Sequence, residues 1–195
     1  MLKFIALNRA VKIYVFVSLT ILVSSYSIKS IAQEKNNDLV FKVKAAFVLN
    51  IARFVSWPNI GNEEIRPILL CVYRSNPLGD ALKSFQNKKI SGREINTAQV
   101  NNLAEIGGCN ILVVPDKELI KFESEAEMGF NLPVLTIADL TTQDPTGVAH
   151  RGIIVSLTRK KTSIGFEINL QQANDAGLRM SSDLLKLAKI VKGEN

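Results

Sequence analysis

The sequence predicts an α/β fold: a single three-layer domain with a mostly parallel central sheet of about five to six strands, a C-terminal antiparallel hairpin, and about five flanking helices. Three observations carry this. The runs PILLCVY (67–73), CNILVVP (109–115) and LPVLTIAD (132–139) are short, continuous and apolar, the form of strands buried on both faces. Helical segments alternate with them, which calls for parallel strands joined by right-handed crossovers. Then the period changes, and RGIIVSLTRKKTSIGFEINL reads as two strands joined by a short basic turn.

Taken in order, the first 32 residues have the form of a secretory signal. MLKFIALNRAVK supplies Lys3, Arg9 and Lys12, IYVFVSLTILVSS is an apolar core too short to span comfortably, and Ser30 and Ala32 are the small residues of a cleavage site after Ala32. The expected organisation is a signal peptide over 1–32 and one domain over 33–195. Removing the signal takes away four cations and no acid, so the formal charge falls from +6 to +2. No remaining Lys/Arg cluster is interleaved with aromatics, which argues against a nucleic-acid partner; KKISGR and TRKK read as solvated loop or strand ends.

A helix is expected from about Asp38, which caps it, to Ser56, with Pro58 stopping it by disfavouring the helical conformation at Trp57. Wound at about 100° per residue, its apolar residues Val43, Phe47, Ile51, Phe54 and Val55 fall with others along an arc of roughly 200°. Lys44 sits in the middle of that arc. After PILLCVY, NPLGDALKSF suits a helix with Asn76 as N-cap and Pro77 at its first position, and a turn at SGR leads to a weaker strand, REINTAQV. KELIKFESEAEM behind CNILVVP reads as a helix with an acidic outer face. LQQANDAG is a short helix closed by Gly177, and SSDLLKLAKIV an amphipathic helix capped by Ser181 or Ser182.

Enzyme motifs are missing: no G-x-S-x-G, G-x-G-x-x-G, P-loop, H-E-x-x-H or C-x-x-C occurs. The one histidine, His150, lies in a polar connection and reads as an exposed loop residue. No catalytic residue, metal ligand or cofactor is expected. Asp116 and Asp139 follow the carboxyl ends of two expected parallel strands, the edge where open α/β sheets place ligands, so they are the candidates for a ligand pocket; an aspartate after a strand is more often an ordinary helix cap or turn residue. Glu118, Glu123, Glu125 and Glu127 have no metal spacing and read as a solvated face. Three readings of Lys44 stay open: a stem covering apolar surface with its ammonium reaching water, a buried ion pair with a carboxylate such as Glu167, or a contact with a partner. Cys71 and Cys109, in an exported chain, read as one disulfide sooner than as a metal pair or reactive thiol. In-register parallel pairing would hold them too far apart, so the bond requires a register offset or a longer first strand.

KAAFVLNIARFVSWP, CVYRSNPLGDAL, SGREI, CNILVV, PVLTIAD and GFEINLQQANDAGLRMSSDLLKLA resemble, in that order, the YfiR family of exported bacterial proteins. The resemblance implies a periplasmic, non-enzymatic regulator of cyclic di-GMP signalling and biofilm formation. Its partners would be the periplasmic part of an inner-membrane diguanylate cyclase, which it represses, and an outer-membrane OmpA-like lipoprotein, which sequesters it; a homodimer stays open. It also implies a disulfide between Cys71 and Cys109. The alternative is a periplasmic small-ligand-binding protein using the carboxyl edge of the sheet through Asp116 and Asp139.

Overall fold

The computed structural model describes residues 38–58, 66–86, 88–126, 132–142, 147, 149–161 and 163–192. The expected signal peptide and its cleavage site lie outside these residues, as does Glu127. Residues 1–40 and 41–195 form separate units, and the domain described here belongs to the second.

Helix α1 runs over residues 38–53 and buries Ala45, Val48, Ile51 and Ala52 on one face of the sheet. It stops three residues before the expected end at Ser56. Val55–Ser56 form a short strand, β1, that pairs antiparallel with β9 (Arg179–Met180), and Ser181 N–H donates to Phe54 C=O at 2.9 Å. Pairing with a strand distant in sequence thus captures residues that local periodicity assigned to the helix.

The main sheet takes in β2 (Ile68–Tyr73), β3 (Lys89–Ile90), β4 (Arg93–Val100), β5 (Ile111–Pro115), β6 (Leu135–Asp139), β7 (Val155–Lys160), β8 (Ser163–Asn169) and β10 (Lys189–Val191). Their order is β10-β8-β7-β6-β5-β2-β4-β3. Strands β4, β2, β5, β6 and β7 are parallel, β7 and β8 form the expected antiparallel hairpin, and the short β3 and β10 complete the two edges. Both edges add to the five or six strands expected: β3 lies just before the SGR turn, and β10 takes the residues assigned to the end of the last helix.

Successive residues of the central strands feed two cores. Ile68, Leu70, Val72, Ile111 and Val113 face α1, the 3-10 helix Gly79–Phe85, α3 (Leu170–Asp175) and α4 (Ser182–Leu187). Tyr73, Leu112 and Val114 face the other way, against Ile106 of the 3-10 turn Leu103–Gly108 and Leu119 and Phe122 of α2 (Leu119–Ala126). This two-sided burial is why those strands read as unbroken apolar runs. Asn76 does not cap a full helix: its side chain accepts from Leu78 N–H and donates to Gly79 C=O, setting up the 3-10 segment that begins three residues later. Ser181 caps α4 by accepting from Leu184 N–H, and Gly177 closes α3 at φ +70°.

Candidate functional site

The charge in the middle of the apolar helix face finds its partner across the sheet edge. Lys44 Nζ lies 2.7 Å from Asp139 Oδ2, and the two side chains are 6% and 5% exposed. The other oxygen, Asp139 Oδ1, accepts from Thr141 Oγ1 at 2.7 Å and Thr141 N–H at 3.3 Å. Both oxygens of a buried carboxylate are therefore occupied from within the chain, the condition that makes such burial tolerable. The pairing of Lys44 with Glu167 does not form. Glu167 lies within β8 and accepts instead from Lys189 Nζ of β10 at 3.0 Å. The reach of the ammonium to water does not occur either, since Lys44 is buried.

Asp116 and Asp139 lie at the carboxyl ends of the neighbouring strands β5 and β6, where Pro115 is opposite Asp139. Asp139 is committed to Lys44 and Thr141, and Asp116 Oδ1 accepts from the next residue's N–H at 2.6 Å. The acidic residues of α2 and of the turn Asp116–Glu118 before it are less solvated than their sequence suggests. Glu118 accepts from Arg74 Nε at 3.0 Å, Glu123 accepts Arg151 N–H and lies 3.1 Å from His150 Nδ1, and Glu125 accepts from Leu103 N–H. Each bonds a connecting segment to this helix or to the turn that leads into it, a role that residue type alone does not signal. Among the described residues no group of three or more His, Cys, Asp or Glu is placed to hold a metal.

At the opposite end of the parallel strands lies a cleft of about 460 Å³ lined by Val55, Ser56, Trp57, Ile68, Ile90, Ser91, Gly92 and Arg93. Its size falls in the range of ligand and side-chain pockets, with an apolar floor and a polar rim. Trp57 is fixed there because its Nε1 donates to Asn110 C=O at 3.1 Å, while Asn110 Oδ1 accepts from Leu69 N–H. Arg93 Nε donates to Arg66 C=O at 2.6 Å, which places the guanidinium beside the mouth. In the sequence Trp57 is legible only as part of the Trp-Pro helix stop, and SGR only as a turn; the fold brings the two together.

Cys71 and Cys109 form a disulfide, with Cα atoms 5.9 Å apart. The register is offset as the bond requires: Cys71 lies opposite Leu112, and Cys109 precedes β5 at the end of the 3-10 turn. In the same core the Tyr73 hydroxyl is buried without a partner in good hydrogen-bond geometry among the described residues. Burial first, then the nearby Glu125 carboxylate, push its pKa up to about 12. For Glu125 burial acts to raise the pKa, but the Leu103 N–H, Lys121 and Tyr73 outweigh it and hold the carboxyl below its ordinary value.

A family model described as YfiR/HmsC-like matches residues 41–189. No curated protein matches the chain. Among solved structures, the chain is similar to the ABC domain in complex with L-Trp from Streptococcus pneumonia, at 13% identity and a TM-score of 0.46, over 75% of this chain. It spans 60% of that chain's length.

Proposed function

Since this chain belongs to the YfiR/HmsC-like family, we propose that it is a periplasmic regulator that binds the periplasmic part of an inner-membrane diguanylate cyclase, represses it and so lowers cyclic di-GMP. Release comes from an outer-membrane OmpA-like lipoprotein that competes for the regulator. The family match carries this reading, because it spans nearly all of the described sheet, from α1 to the first residue of β10. The regulator acts by surface complementarity and performs no reaction.

The geometry lends support at two places. The polar groups of the carboxyl edge bond to one another, Asp139 to Lys44 and Thr141 and Glu118 to Arg74, which weakens the alternative of a small-ligand pocket there. The cleft around Trp57 instead offers a mixed apolar and polar surface suited to a partner's side chain.

Capture from solubilised membranes with the purified protein tests this: a diguanylate cyclase is expected in the captured fraction, and a deletion strain is expected to raise cyclic di-GMP. Repeated capture of no cyclase, with unchanged cyclic di-GMP, would sink the reading. Ser56→Phe, placed on an exposed rim position, should weaken capture at an unchanged melting temperature if the cleft is the contact.

A further inference from the structure

Strand β6 ends at Asp139, opposite Leu157 of β7. Strand β7 continues through Thr158 and Arg159 to Lys160, and β8 returns alongside it in full register, Thr158 opposite Gly165, Arg159 opposite Ile164 and Lys160 opposite Ser163. At about 3.3 Å per residue this paired ribbon reaches roughly 10 Å beyond the end of β6. Its tip carries Arg159, Lys160 and Lys161, all exposed. Successive strand residues project to opposite faces, so Arg159 and Lys160 put a cation on each side of the ribbon and Lys161 puts one at its end.

Lys44, Arg74, Lys83, Lys89, Lys121, Lys186 and Lys189 each lie within 4.0 Å of a carboxylate. None of the three tip residues joins an ion pair with another described residue, and they are consecutive in the chain. The charge is also held against a conformational cost. Lys161 adopts φ +52°, a left-handed conformation that asparagine or glycine takes more readily in a tight hairpin turn. The stem of Lys160 lies over Gly165, where a Cβ would come within 2.8 Å of Lys160 Cε.

We propose that the tip of the β7–β8 hairpin is a contact point for an anionic phospholipid surface, with Arg159, Lys160 and Lys161 as its contact residues. A protein partner would need an apolar or aromatic centre that excludes water, and no large apolar side chain of the described residues is exposed on this tip. A layer of phosphate head groups needs only charge and reach, both of which a projecting cationic ribbon supplies end-on. Each Lys or Arg brought near such a surface strengthens binding about fivefold, so the three together contribute roughly a hundredfold. That is too weak to anchor a protein unaided, and suits orienting one held by a second contact. The proposal does not depend on which membrane protein supplies that second contact.

Co-sedimentation of the protein, purified as the cell exports it, with vesicles of phosphatidylcholine alone or mixed with phosphatidylglycerol is the test. Binding is expected only with phosphatidylglycerol, weakening as salt rises. The triple variant Arg159→Ser, Lys160→Ser, Lys161→Ser should lose roughly a hundredfold, and Lys161→Gly about fivefold. Because Lys161→Gly relieves the left-handed backbone, its melting temperature should not fall, which separates loss of charge from loss of fold. Equal binding by the triple variant and the parent, or equal binding to both vesicle types, overturns the proposal. So does a parent that ignores vesicles while the triple variant loses capture of an acidic protein partner.

Discussion

Lys44 is legible in the sequence as a misfit, a charge at the centre of an apolar helix face. Its partner is not legible, because Asp139 lies 95 positions away and an aspartate at a strand end looks like any turn residue. Removing the ammonium leaves Asp139 buried with only Thr141 to serve it. Lys44→Met should therefore destabilise by about 3 kcal/mol, the low end for breaking a buried pair, as read from denaturant melts. Adding Asp139→Leu should recover most of that loss, since an apolar pair of similar volume removes the unpaired charge; a double variant no more stable than the single one contradicts the pairing. Glu125 gives a pH-dependent prediction. Its folded pKa lies below the ordinary 4.5, so its stabilisation is complete above that value and is lost as pH falls through the folded pKa. Glu125→Gln should flatten the acid limb of stability against pH below about 4.5 and leave the slope near neutrality unchanged.

Elements with a strong period are readable from the chain, and those made by pairing are not. The runs ILLCVY, ILVVP and LTIAD become β2, β5 and β6 because strands buried on both faces need apolar residues throughout. β1, β9 and β10 are two or three residues long and exist only because another segment lies alongside. A strand of that length has no period to detect, so α1 and the last helix both read too long. The two hairpin turns carry their own mismatch: Ser91 and Lys161 hold φ +50° and +52°. Ser91→Asn should raise stability by up to about 1 kcal/mol, since asparagine tolerates that region better than serine. An unchanged or lowered melting temperature would show that the local turn relaxes at no cost.

At the scale of the whole molecule the disulfide spans 38 residues and ties the central strand β2 to the turn that leads into β5. In the chain-entropy picture it stabilises by roughly 4 kcal/mol, a large part of what such a domain has. Cys71→Ala with Cys109→Ala should lower the denaturation free energy by about that amount; a loss under about 1 kcal/mol would mean that the cores on the two faces hold the sheet unaided. By itself the sequence determined the α/β class, the buried strands, the basic hairpin, the paired cysteines and, through its ordered motifs, the family. The first four rest on composition or on a pattern within one segment, and the family on the order of motifs along the chain. Only the tertiary structure decided the strand order with its two short edges, the partners of Lys44 and Glu167, the acidic clamps of α2 and the cleft around Trp57. Those arise where segments far apart in the chain meet, and no local pattern encodes which carboxylate a lysine will reach.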